Sequence, residues 1–204
     1  MRVNIEDENN IPRLLEALEE LSRKSIQIGI FGEDDSQILM IARVNEFGAH
    51  IEPKSAKYLT IPLNKKAREK SPRDFSDLFP IKANGGLYLV KKKGKKNLEF
   101  YYWLAESVDI PERSFIRGGY DEYRNKIERK GEILLKKVLS FKITVDKFFE
   151  TLGEYIVGRI VKYMTDLKAP PKSSVTLSTD KRKTNPLIKT GRLKSSITYK
   201  VVEI

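Results

Sequence analysis

Residues 186–202 read PLIKTGRLKSSITYKVV, and this stretch decides the fold because two kinds of local structure follow each other in it. Thr190 is placed to cap a short helical turn, since its hydroxyl can accept a hydrogen bond from a backbone N–H two or three residues further on. The period then changes to the two-residue alternation of a strand with one face in a core. The alternating residues expected on the core face are Ile197, Tyr199 and Val201. We expect this last strand to complete a sheet that the N-terminal half of the chain begins.

The N-terminal part of the chain predicts a helix, a strand and a second helix. The first helix is expected to begin at Asn10, a good capping residue, and to run to about Lys24. Its apolar face carries Leu14, Leu15, Leu18 and Leu21. Residues 26–30 then alternate as a short strand, and residues 36–47 return to a helical pattern that Gly48 is placed to end.

Residues 53–107 predict an inserted β-rich region. Strand patterns lie at 58–63, 87–90 and 98–103, and the last two flank a turn in which Gly94 can adopt a positive φ. The tip of this hairpin is strongly basic and holds Lys91, Lys92, Lys93, Lys95 and Lys96. Such a tip is either a solvated turn whose lysines prevent edge-to-edge pairing or a contact for phosphates or an acidic partner.

Two long helices are predicted after the insertion. One leads from residues 111–117 to about Val138, and the other runs from about Thr144 to Leu167. Both carry an apolar stripe of the kind that packs on a core. The expected fold is α+β, with a small mixed or antiparallel sheet of N-terminal, central and C-terminal strands packed against two long helices, and with a β-hairpin insertion. We expect a single domain over residues 1–204, with the β-rich region inserted at about 53–107.

The chain is strongly basic. Its 204 residues include 39 Lys and Arg against 28 Asp and Glu, a net charge of +11. This balance favours acidic partners such as nucleic acid or an acidic protein surface, although many small proteins are basic without a specific reason. Cysteine is absent, which excludes disulfides and thiolate sites. Apolar runs fall far short of the roughly 18 residues that span a bilayer, so no membrane partner is expected and the protein is expected to be made in the cytoplasm.

The search for catalytic chemistry is negative. His50 is the one histidine, and no Gly-x-Ser-x-Gly elbow or P-loop accompanies it. Adjacent carboxylates such as Asp34 and Asp35 lie in polar surroundings that would not tune one of them as an acid. We therefore expect no catalytic residue, no metal ligand and no cofactor.

Three short motifs remain between the predicted elements. They are NEFG at 45–48, IPERSFIR at 110–117 and LIKTGRLKSSITY at 187–199. In their order and spacing they resemble the bacteriophage virion morphogenesis proteins, a family of tail components that includes tail completion, neck and tail terminator proteins. The resemblance spans nearly the whole chain, but the insertion at about 53–107 is absent from the shortest members.

The resemblance implies a non-enzymatic structural protein that forms a ring, a hexamer in the family, at the head–tail junction or at the tail end. It also implies neighbouring neck, tail-tube or sheath proteins as partners, with DNA passing through the ring. The protein would then belong to a virion or phage-tail-like particle assembled in the cytoplasm of a bacterial host. The alternative function is that of a basic nucleic-acid-binding protein.

Four residues of these motifs are candidates for an assembly interface: Arg113, Phe115, Arg117 and Arg192. Arg113 and Arg117 lie four residues apart where a long helix begins, with the aromatic Phe115 between them. Guanidinium groups and aromatic rings supply much of the energy of desolvated contacts. The alternative is that Phe115 belongs to the core and that the arginines pair with local carboxylates.

Overall fold

The computed structural model describes residues 9–32, 35–94, 97–172, 185–188 and 190–204. The helices are α1 (Ile11–Arg23), α2 (Ser36–Phe47), α3 (Lys65–Glu69), α4 (Ile116–Leu139), α5 (Val145–Asp166) and α6 (Arg192–Ser195), with a 3-10 turn at Pro72–Asp74. The strands are β1 (Lys24–Gly29), β2 (Ala49–Ile51), β3 (Leu59–Pro62), β4 (Phe79–Ala83), β5 (Gly86–Lys93), β6 (Asn97–Ala105), β7 (Val108–Ile110) and β8 (Thr198–Glu203). Helices and antiparallel strands together make this an α+β protein, as expected.

The described chain divides into two compact units. The helical unit comprises Met1–Ala42, Ser114–Leu167 and Thr190–Ile204, and the sheet unit comprises Arg43–Arg113 and Lys168–Lys189. The predicted insertion at 53–107 lies wholly inside the sheet unit. That unit also takes in the end of α2 and the segment that follows α5.

In the helical unit β8 pairs antiparallel with β1, in a register from Lys24 opposite Glu203 to Gly29 opposite Thr198. The prediction that the last strand pairs with an N-terminal one is therefore confirmed. The expected core face is only partly right, because Ile197 is buried and Tyr199 half-buried while Val201 is exposed. Val202, on the opposite face of this two-stranded ribbon, is half-buried instead, so the core-facing alternation does not continue past Tyr199.

The core of the helical unit lies between α4 and α5. Buried side chains recur at helical spacing on both, as the apolar stripes predict: Ile127, Leu134 and Val138 on α4, and Val145, Phe149, Ile156, Ile160 and Met164 on α5. The side chain of Thr144 caps α5 by accepting a hydrogen bond from the N–H of Lys147 at 3.2 Å. Ala17 and Leu21 bring one side of α1 onto this core, against Val138.

The sheet unit holds an antiparallel sheet in the order β3-β6-β5-β4 and a separate pair, β2 with β7. The predicted hairpin is confirmed as β5 and β6, with Gly94 at a positive φ of 73°. The expectation that central strands share a sheet with the N- and C-terminal ones is wrong. The two inner strands, β5 and β6, find both their hydrogen-bonding neighbours within this unit, and β1 is paired with β8.

Candidate interaction surfaces

The first two sequence motifs meet in the sheet unit. The backbone N–H of Arg113 donates to the carbonyl of Asn45 at 2.7 Å, which joins the end of α2 to the segment before α4. Gly48 lies beside this bond with a φ of 72°. A Cβ at residue 48 would lie 3.0 Å from the nitrogen of Glu112 and 3.0 Å from the carbonyl oxygen of Ile110. The motif therefore needs glycine here both for its conformation and for the close approach of two backbones.

Arg113 is a structural residue of the same junction. Its side chain is 8% exposed, and Nε and Nη2 donate to the carbonyls of Pro170 and Pro171 at 2.8 and 2.7 Å. Burial lowers the pKa of this guanidinium. The expected surface role is corrected, because the donors of Arg113 face the backbone of its own chain. They hold the segment after α5 in place.

Phe115 is likewise part of a core. It is the N-cap residue of α4 and is 0% exposed. A ring with no accessible area cannot anchor a partner on the surface of this fold, so the interface expectation is corrected for Phe115 too. The sequence allowed an alternative in which Phe115 is a core residue that fixes the start of a long helix. The observed position of Phe115 agrees with that alternative.

Arg117 lies at a surface pocket of the helical unit. The pocket has a volume of about 360 Å³ and is lined by Ile28, Ile116, Arg117, Tyr120, Asp121 and Ile160. Three of its six lining residues are isoleucines, and Arg117 and Asp121 supply one charge of each sign. Such a lining suits an apolar side chain of a partner flanked by polar groups better than it suits chemistry on a substrate.

Arg192 ties the C-terminal motif to the start of α2. Its guanidinium pairs with the carboxylate of Asp35 at 2.5 Å, with side chains that are 61% and 33% exposed. Asp35 also caps α2 by accepting a hydrogen bond from the N–H of Ile38 at 3.0 Å. Thr190 accepts from the N–H of Arg192 at 3.4 Å, a bond that the sequence predicts, but the N-cap residue of α6 is Gly191 and not Thr190.

The lysines of the hairpin tip fall into three groups. Lys91 pairs with Asp77, and the hydrogen bond to that carboxylate raises the pKa of Lys91. Lys92 and Lys93 are exposed at the end of β5. The prediction for Lys95 and Lys96 lies outside the described residues. The choice between a solvated turn and a phosphate contact accordingly rests on Lys92 and Lys93.

His50 takes part in a surface ion pair. It lies opposite Asp109 in the pairing of β2 with β7, and its Nδ1 is 2.5 Å from the carboxylate of Asp109. Its Nε2 is 3.1 Å from the carboxylate of Glu52. The hydrogen bond to Asp109, followed by the one to Glu52, raises the pKa of His50. Across the described ranges no three His, Asp or Glu side chains cluster so as to hold a metal ion.

Two surfaces of the helical unit escaped the sequence-based predictions. One is the outer part of the apolar stripe of α1, where Ile11, Leu15 and Leu18 are exposed. The width of that stripe in the sequence could have indicated it. The other is a set of cations stacked on tyrosines along α4 and α5. The steps of three and four between Tyr123 and Lys126 and between Tyr155 and Arg159 could have indicated the contacts within each helix, whereas the contact of Arg159 with Tyr123 depends on how the two helices pack.

Comparisons of the chain with protein-family models, with curated proteins and with solved structures find no similar protein. No helix within the described part of the chain has the length and apolar character to cross a membrane.

Proposed function

We propose that this chain is a non-enzymatic structural protein of a phage or phage-like particle that assembles with copies of itself into a ring at the head–tail junction or tail end. The three motifs that suggest this family connect elements of the fold to each other. The first two are linked through Arg113 and Asn45, and the third reaches α2 through Arg192 and Asp35. Motifs with such roles support a fold shared with that family. Assembly would then depend on the surfaces that lie outside the motifs.

The observation that carries the proposal is the uncovered half of the apolar stripe on α1. Ala17 and Leu21 pack on the core, whereas Ile11, Leu15 and Leu18 are 64%, 60% and 44% exposed. These three residues recur at steps of four and three, so they lie on one face of the helix. The apolar stripe of α1 is wider than the part of it that packs on the core. The exposed part therefore indicates a second apolar surface that covers it in the assembled protein.

A second copy of the chain is the partner we assign to this α1 face. Each fully buried Leu or Ile contributes roughly 1.5 to 3 kcal/mol, so these three side chains are a substantial part of an interface. Exposed Met40 on α2 and the pocket beside Arg117 offer further apolar area on the same unit. A ring repeats a head-to-tail contact between unlike surfaces, so the α1 face of one copy would pack against this further apolar area of the next copy.

The test is the oligomeric state of the purified protein. Light scattering after gel filtration, with negative-stain microscopy, should show a closed ring for the natural chain. The double variant Leu15→Ala and Leu18→Ala should be folded by circular dichroism but monomeric. Ala is a good helix former, so the change removes apolar surface without weakening α1 itself.

The matched control is the double variant Glu16→Ala and Glu19→Ala, which alters exposed residues of the same helix outside the apolar stripe. It should assemble as the natural chain does. A monomeric natural chain at micromolar and higher concentrations would overturn the proposal, as would a leucine variant that still forms rings.

A further inference from the structure

The antiparallel helices α4 and α5 share a surface on which cations lie against tyrosine rings. This cation–tyrosine surface consists of Tyr123, Lys126 and Lys130 of α4 and Tyr155, Arg159 and Lys162 of α5. Arg159 lies over both rings, 4.7 Å from the centroid of Tyr155 and 5.8 Å from that of Tyr123. The Nζ of Lys126 is 5.2 Å from Tyr123, and that of Lys130 is 5.7 Å from Tyr155.

The spacing in the two helices explains how this surface forms. Residues 123, 126 and 130 follow each other at steps of three and four on α4, and residues 155, 159 and 162 do so on α5. Each set therefore lies on one side of its helix. Packing of α4 against α5 brings the two sets together, and the rings hold the cations in defined positions that flexible surface lysines lack.

Three of the four cations of this surface have no acidic partner among the described residues. Elsewhere on the two helices Arg124 pairs with Glu128, and Lys147 pairs with Glu150. Within the described residues, Lys162 pairs with Asp166 at 2.7 Å, but Lys126, Lys130 and Arg159 have no carboxylate within 4 Å. The surface thus carries three uncompensated positive charges.

Arg159 points to a ligand by a second, independent observation. Its Nε is buried and has no hydrogen-bond acceptor among the described residues. A buried donor without an acceptor is costly in a folded protein and is uncommon in native structures. The positive charge of the same guanidinium therefore has no acceptor at Nε and no carboxylate partner among the described residues, and an anion at this surface would compensate that charge.

We propose that the cation–tyrosine surface binds the phosphate backbone of nucleic acid. Lys126 and Lys130 are one helical turn apart, about 6 Å along the axis. Cations in such a row suit an anion whose charges recur regularly. In duplex DNA each strand carries one phosphate charge for about every 3.4 Å of the helix axis. The tyrosine rings are occupied by cations, so bases are not stacked on them and the contact reads no sequence. The net charge of +11 attracts the same polyanion from a distance.

The experiment measures the affinity of the full chain for a short fluorescein-labelled DNA duplex over a series of salt concentrations. The double variant Lys126→Gln and Lys130→Gln should bind more weakly than the natural chain. Each neutralised phosphate contributes a slope of about −0.9 to a plot of log K against log salt, so the slope should become shallower by about 1.8.

The matched control is the double variant Arg129→Gln and Lys136→Gln, which removes the same charge from α4. Both control residues are exposed on the side of the helix away from Ile127 and Leu134. This variant should keep the natural slope.

Two results would overturn the proposal. Equal losses in the two double variants would show that only net charge matters. Weakened binding to polyglutamate with unchanged binding to the duplex would assign the surface to an acidic protein. The inference does not rest on ring formation, because gel filtration of the same variants reports assembly separately from binding.

Discussion

Two glycines of α5 allow a sharp test of how the last strand packs. Gly153 is buried beneath the Tyr199 side chain of β8, and a Cβ at residue 153 would lie 2.7 Å from Cγ of that ring. Gly158 is exposed, and a Cβ there would meet nothing within 4 Å. We predict that Gly153→Ala destabilises the protein relative to Gly158→Ala, although the substitution and the helix are the same.

The size of the difference follows from two effects. Replacing Gly by Ala inside a helix stabilises it by about 0.8 to 1.0 kcal/mol, and both variants gain this. Only Gly153→Ala forces extra volume into a packed contact, at a cost of about 1 to 3 kcal/mol. Cγ of Tyr199 lies near the backbone of β8, so rotation of the ring alone cannot clear the contact. The free energies of unfolding of the two variants should therefore differ by about 1 to 3 kcal/mol.

Urea unfolding followed by circular dichroism measures this difference, with equal m-values as the check that the unfolded states are comparable. In a Tyr199→Ala background the contact is gone, so Gly153→Ala and Gly158→Ala should become equally stabilising. If Gly153→Ala is as stable as Gly158→Ala in the natural background, β8 does not pack on α5 in the way described here.

Two further predictions concern charged groups. Arg192→Ala should lower the free energy of unfolding by no more than about 1 kcal/mol in thermal denaturation, because its pair with Asp35 is largely exposed. A larger loss would show that this contact contributes more than a solvent-exposed ion pair does. His50 is the one histidine of the chain, so its NMR titration should show a pKa above the ordinary 6.5, because Asp109 and then Glu52 hydrogen-bond to the ring. A raised pKa of His50 stabilises the fold below pH 6.5, while both carboxylates remain ionised. This contribution is lost as the pH rises through the folded-state pKa. A pKa of 6.5 or lower would contradict the pairing of His50 with these carboxylates.

Elements with strong local signals were predicted well. The start of α1 after Asn10, the glycine after α2, the hairpin of β5 and β6 and the start of α5 after Thr144 all agree with the structure. Each of these depends on a few neighbouring residues, whose capping, turn and periodic preferences act within the element itself. The apolar stripes of α4 and α5 predicted most of the buried residues, but Tyr120 and Leu135, which the pattern also places on the α4 stripe, are exposed.

Short strands were missed for a physical reason. Pro80 interrupts the strand pattern of residues 79–83, so the sequence did not predict β4. In the structure β4 is an edge strand of its sheet. An edge strand tolerates a proline, because the missing backbone N–H need not donate to a neighbouring strand. Pro62 ends β3 on the opposite edge. Three-residue strands such as β2 and β7 are too short to show a period.

The sequence by itself determined the class of fold, the helical stripes and the pairing of the last strand with an early one, because periodicity states which face of an element is apolar. It did not determine what covers that face. Only the tertiary structure buried Arg113 against Pro170, 57 residues away, and left Ile11 exposed. Tertiary packing also placed Arg159 of α5 over the ring of Tyr123 of α4. Contacts between residues distant in the chain depend on the packing of whole elements, and no local pattern encodes that packing.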